Sequence, residues 1–181
     1  MMMNLSRTAL ISMALAATPV VAHAFDLDSR DLREGETIRM ELVNSTMGCV
    51  GLNQSPHLVW NDPPAGTQSF AITVYDPDAP TGSGWWHWIV LDIPAHTRAM
   101  LAGASGYLPA PLVESLTDFG QPGYGGPCPP EGAVAHRYEF TVYAIDVPSL
   151  GLDASAMPAL AGYMIHAHSL GSVTLTARYG R

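Results

Sequence analysis

The chain has 181 residues, 48% of them apolar but only 13% charged, and its 16 acids against eight cations, every one an arginine, leave a formal net charge of −8. That length suits one domain of ordinary size, and the apolar content excludes intrinsic disorder. With no lysine and no basic cluster, the balance excludes nucleic-acid binding and a polybasic membrane patch, so an anionic ligand must be held by local geometry. In chain order, the first segment stands apart. Residues 1–7 carry one cation, 8–21 form an apolar run, and Ala22-His23-Ala24 has the small-x-small pattern of a cleavage site. Residues 1–24 therefore read as a secretory signal peptide and 25–181 as a single mature domain, periplasmic or secreted. The run is too short, and too broken by Ser12, Thr18 and Pro19, for a transmembrane anchor. In an oxidising compartment the only two cysteines, Cys49 and Cys128, both in Gly-rich loops, favour a disulfide over two free buried thiols.

Five segments carry strand patterns. Residues 38–43 and 70–76 alternate apolar and polar, 86–91 are continuously apolar as in a strand buried on both faces, 137–145 are rich in Tyr, Phe, Val and Thr, and 173–177 alternate again. Turn chemistry separates them at Asn61-Asp62-Pro63-Pro64, Asp76-Pro77, 81–84 and 123–130. Residues 154–170 show helical spacing of Ala, Met, Leu and Tyr, with Ser155 as N-cap. The expected fold class is all-β, a sandwich with one short peripheral helix near the C-terminus.

Side-chain parity then singles out one rim of the sheet. Asp76 follows Phe70, Ile72 and Val74 on one face; His136 and Tyr138 begin a row with Phe140, Val142 and Ala144; His87 begins a row with Ile89 and Leu91. If the first of these strands runs antiparallel to the other two, Asp76, His87, His136 and Tyr138 share one rim, where loop-lined pockets commonly form. Each has a structural alternative: Asp76 before Pro77 as a turn former, His87 among Trp85, Trp86 and Trp88 as a core histidine, and Arg137 with Glu139 as a surface pair. Two His and one Asp meet the count for a 2-His-1-carboxylate site, but no i, i+4 ligand pair supports one. His166 and His168 on the helix do not face each other either, so neither metal nor cofactor is expected.

The segments around these positions resemble a known family. Asp76-Pro77-Asp78-Ala79-Pro80, Gly84-Trp85-Trp86-His87-Trp88, Pro129-Pro130-Glu131-Gly132 followed by His136-Arg137-Tyr138, and Ser55-Pro56-His57-Leu58-Val59-Trp60 are similar to the signature motifs of the phosphatidylethanolamine-binding protein family, in particular its bacterial Raf-kinase-inhibitor-like branch. The resemblance implies a sandwich of two antiparallel sheets with a small pocket for phosphate-like anions. It carries ligand-binding positions onto Asp76, Asp78, His87, the loop of Cys128 and Pro129, His136 and Tyr138. A cationic ethanolamine group would instead lie against Trp85 or Trp86. Exported members of the branch are similar in placing one cysteine before the Ser-Pro segment and one before the Pro-Pro segment, which supports pairing Cys49 with Cys128. The sequence departs from animal members at Trp86, where they have a second histidine, and at Cys128.

The function implied is that of a non-enzymatic binding protein for a phosphorylated or similar anionic head group. In that reading a phosphate monoanion gives its proton to Asp76 while His87, His136, Tyr138 and loop N–H groups donate to the other oxygens. Binding by charged imidazoles would weaken as pH rises through the histidine range. Two further readings stay open: a protein inhibitor of a kinase or protease, and a hydrolase using the His/Asp pocket, although no G-x-S-x-G segment supplies its nucleophile. A homodimer also stays open.

Overall fold

In the computed structural model, which describes residues 24–181, four of the five segments with strand patterns build the larger of two sheets. The leader reading, apart from Ala24, lies outside the described residues. Along the chain run β1 (Asp26–Asp28), β2 (Leu58–Asn61), β3 (Ser69–Asp76), β4 (Trp85–Pro94), β5 (Ala99–Met100), β6 (Val113–Glu114), β7 (His136–Ile145), α1 (Pro158–His168) and β8 (Ser169–Tyr179). The smaller sheet has the order β1-β2-β5 and the larger β6-β4-β3-β7-β8, with every pairing antiparallel.

Alternation in β3 and β7 decides what lies between the sheets. Phe70, Ile72 and Val74 of β3 join Phe140, Val142 and Ala144 of β7 and pack with Leu58 and Trp60 of β2. Burial of each large side chain contributes about 1.5–3 kcal/mol. On the opposite face of the larger sheet, Ala71, Ile89, Leu91 and Ile145 meet Ala161 and Ile165 of α1. β4 is therefore buried on both faces, as its continuous apolar run implies.

Residues 38–43 do not form the expected strand. They turn instead, with Leu42 N–H donating to Arg39 O at 3.0 Å and Val43 N–H to Met40 O at 3.3 Å. Ile38, Leu42 and Val43 are buried, whereas Met40 is exposed. The cause is competition for backbone groups. Leu42 O accepts from Tyr124 Oη at 2.9 Å, Val43 O from Asn53 N–H at 2.8 Å, and Asn44 N–H donates to Pro127 O at 3.1 Å. These bonds seat residues 124–127 against the turn, so closely that a Cβ on Gly126 would stand 2.1 Å from Leu42 O.

The helix is also shorter than its periodic pattern. Met157 occupies the N-cap position without a side-chain bond, and Pro158 opens the first turn, where its fixed φ and missing donor do no harm. Ser155 is not the cap; its N–H and hydroxyl bond Asp153 Oδ1 at 2.8 and 2.6 Å and close the preceding turn. Leu170 belongs to β8. β1, β2, β5 and β6 are too short to show a period, which is why sequence alone does not reveal them. Cys49 and Cys128 are joined in a disulfide across 79 positions. Closing a loop of that length contributes about 4–5 kcal/mol on the chain-entropy account. Among the described residues no helix is long and apolar enough to cross a membrane.

Candidate functional site

The register of the larger sheet brings three strand ends together. Asp76 pairs with Trp85 and Tyr75 with Glu139, so the C-terminal end of β3 meets the N-terminal ends of β4 and β7. His136 opens β7 in regular register, and its Nδ1–H donates to Asp76 Oδ2 at 2.7 Å. The other carboxylate oxygen, Oδ1, accepts Asp78 N–H at 2.8 Å and shapes the turn after β3. Asp76 is thus both turn former and histidine partner.

His87 reaches the same place by a different route. Strict alternation would put it with Ile89 and Leu91, on the side that α1 covers. Instead Tyr75 pairs with Trp86 and Val74 with Trp88, so His87 is the extra residue of a β-bulge. The bulge turns its ring to the Asp76 side, edge-on to Tyr138 with centroids 5.2 Å apart and to Phe119 at 5.3 Å. Residues 118–125 clamp the irregular strand: Trp86 N–H donates to Asp118 Oδ2 at 2.8 Å and Gly125 N–H to His87 O at 2.9 Å. In return His87 Nδ1–H donates to Gly125 O at 2.6 Å. Trp86, which takes the place of the animal family's second histidine, faces the other way, 4.9 Å from the Tyr75 ring and against α1 at Gly162.

These side chains line a cavity of about 280 Å³. Asp76, Trp85, His87, His136 and Tyr138 form its sheet wall, and Met47, Thr81, Phe119, Arg181 and the Cys128-Pro129-Pro130 run form its loop wall. Asp76 is 3%, His87 4%, His136 7% and Tyr138 0% exposed. Of the eight candidate ligand-binding positions, the seven from the resemblance and Trp85, all line the cavity except Asp78. Asp78 turns outward and takes Arg137 Nε at 2.9 Å and Nη2 at 2.7 Å, which hold its carboxyl at about 2, well below the ordinary carboxylate range. Arg137 is accordingly Asp78's partner, with no ion pair to Glu139.

Arg181 is the residue sequence reasoning missed, and among the described residues it is the only arginine lining the cavity. Its Nε donates to Pro129 O at 2.7 Å and its Nη1 to Gly48 O at 3.1 Å. No spacing or motif marks it, because its place depends on two backbone carbonyls from loops remote in sequence.

Burial sets the proton inventory. It pushes His87 down to about 4, against the opposing pull of the Gly125 carbonyl and the Asp76 and Asp118 carboxylates. His87 is therefore neutral near pH 7, contrary to the expectation of a charged donor at this position. Its Nδ1 carries the proton given to Gly125 O, and Nε2 keeps a free lone pair. Burial, followed by the nearby Asp76 carboxylate, raises the Tyr138 phenol and keeps it protonated. Tyr138 Oη is fully buried beside the Asp76 carboxylate. Among the described residues no group of three or more His, Cys, Asp or Glu could hold a metal ion.

The family profile described as phosphatidylethanolamine-binding protein matches residues 28–180. This chain belongs to that family. It is similar to UPF0098 protein YbhB of Escherichia coli (strain K12), with 49% identity over 84% of this chain and 98% of the relative. It is also similar to YbcL of the same organism, with 41% identity over 96% of this chain and 98% of YbcL. The crystal structure of YbcL, described as a new member of the mammalian family, superposes with a TM-score of 0.85 over 87% of this chain and 98% of that one. LppC of Mycobacterium tuberculosis, which carries the name of a lipoprotein, is 36% identical over 72% of this chain and 62% of its own length.

Proposed function

We propose that this family member is an exported, non-enzymatic binding protein for phosphate-containing or similar anionic head groups, held in the cavity between the sheet rim and the disulfide-tied loops. The observation that carries the reading is the convergence on one small cavity of a guanidinium, Arg181, and two imidazoles, His87 and His136. His136 lines the cavity with its ring oriented by the Nδ1 bond to Asp76. Export is supported by the cleavage pattern after residue 24, by the disulfide, and by similarity to a relative named as a lipoprotein.

The hydrolase reading has less support. Among the described residues Thr81 is the cavity's only Ser or Thr and donates to Gly84 O, Cys128 is spent in the disulfide, and each cavity imidazole Nδ1 is bonded to a carbonyl or carboxylate and not to a nucleophile. Calorimetric titration with ethyl phosphate tests the binding reading. Saturable one-to-one binding is expected, weakened about tenfold or more in Arg181→Ala, the size of one hydrogen bond to a charged group. No heat from the wild-type protein at millimolar ligand would reject it.

A further inference from the structure

A second hollow, an open groove of about 690 Å³, shares no residue with the cavity at the sheet rim. Its walls are drawn from residues 94–112, from the end of β4 through β5 to the loop before β6, with Met100, Leu108, Pro109 and Leu112 among them. Among the described residues no Asp, Glu, Lys or Arg lines it. Residues 93–113 hold no acid and one cation, Arg98, whose Nη1 is engaged by Ala95 O and Thr97 O at 2.7 and 2.8 Å. On a chain of net charge −8, a second copy can approach this surface without acid facing acid.

Two features make the patch complementary to itself. Knob and socket stand side by side, since Leu101 is 64% and Tyr107 87% exposed although both belong to the groove's apolar rim. The groove also holds an open strand edge. Trp60 N–H donates to Arg98 O at 3.0 Å, which sets the phase of the β2–β5 ladder: Leu58 with Met100 is the next bonded pair and Val59 with Ala99 the unbonded one. Ala99 therefore turns its N–H and C=O away from β2, on the edge where it lines the groove. The outer edge of β8, by contrast, is covered by residues 35–38, with Gly35 N–H donating to Thr176 O at 2.7 Å and Ile38 N–H to Arg178 O at 2.8 Å. An open edge beside apolar surface pairs with another chain unless something covers it.

We propose that two copies of this chain associate about a two-fold axis through this groove, the Tyr107 ring of each entering the groove of the other, where its hydroxyl meets the Ala99 backbone. A patch that carries both knob and groove closes on itself about a two-fold axis and leaves neither exposed. Tyrosine suits the place because its ring is apolar and its O–H can donate to a carbonyl that has lost water. The association does not depend on the binding reading above, since the groove and the cavity at the sheet rim have no lining residue in common.

Sedimentation velocity on the oxidised protein, over protein concentrations from about 1 to about 500 µM, tests the proposal. A concentration-dependent dimer is expected. Tyr107→Asp and Leu101→Glu, both at exposed positions, should each weaken it about tenfold or more. Tyr107→Phe keeps the ring and removes the hydroxyl, and should weaken it by a smaller factor, about threefold to tenfold. Tyr163→Glu places the same kind of charge on the exposed face of α1, in another stretch without formal charge, and should leave the dimer as it is. Amide exchange gives a second reading, with the Ala99 N–H expected to slow as protein concentration rises. A wild-type protein that stays monomeric at about 500 µM overturns the proposal and leaves the groove to an occupant of another kind. A dimer that survives both Tyr107→Asp and Leu101→Glu, or one lost only in Tyr163→Glu, overturns it as well.

Discussion

The two walls of the cavity are held in different ways. The sheet wall is fixed by ladders: His136 and Tyr138 stand where β7 pairs with β8, just beyond its pairing with β3, and even the bulge at His87 is fixed by pairs on either side. The loop wall has no ladder and is tied by one disulfide and a few backbone carbonyls, with Met47, Cys128 and Arg181 brought from three distant parts of the chain. The contrast implies that the sheet wall sets which protons the site offers, whereas the loop wall sets whether the site is closed at all.

The largest expected effect breaks the loop wall. Replacing both cysteines with serine should lower stability by about 4 kcal/mol on the chain-entropy account, read as a shift in urea midpoint, and should weaken ethyl phosphate binding even where the fold persists. The sheet wall shows itself in pH dependence. His87 titrates at its ordinary 6.5 when unfolded but at about 4 when folded, so between those values the unfolded chain binds more protons. Stability contributed by keeping His87 neutral is complete above pH 6.5 and is lost as pH falls towards 4, by up to about 3 kcal/mol. Urea unfolding across that window should show the slope, and His87→Gln should flatten it.

Asp76→Ala comes next, since it leaves the Asp78 N–H and the His136 Nδ1–H unpaired and should cost about 1–3 kcal/mol, with the affinity for ethyl phosphate falling as His136 loses its orientation. Arg137→Ala should do least. Its partner Asp78 lies outside the cavity and the pair is largely exposed, so melting temperature and ligand affinity should both stay close to wild type.

The same contrast explains what could be read in advance. Parity placed Asp76, His136 and Tyr138 on one face because β3 and β7 pair without interruption through 69–75, and the four long strands announced themselves by alternation or composition. Parity put His87 on the wrong face. A bulge inserts one residue without any sequence signature here, so the row with Ile89 and Leu91 fails for His87, although the strand-end reading and the motif resemblance both placed it at the pocket's rim. Residues 38–43 alternated like a strand but became a turn, since their carbonyls serve Tyr124 and Asn53. Arg181 left no trace in the pattern, and Asp78 was carried over from the motif although Arg137 draws it outward.

Histidine side-chain NMR during a titration with ethyl phosphate tests the central claim most directly, because four histidines report from two places on one molecule. The account predicts that His87 and His136 shift together and saturably, with a single dissociation constant matching calorimetry, while His166 and His168 on α1 stay still. Resonances of His87 and His136 that do not move at saturating calorimetric concentrations, or movement confined to His166 and His168, would contradict it.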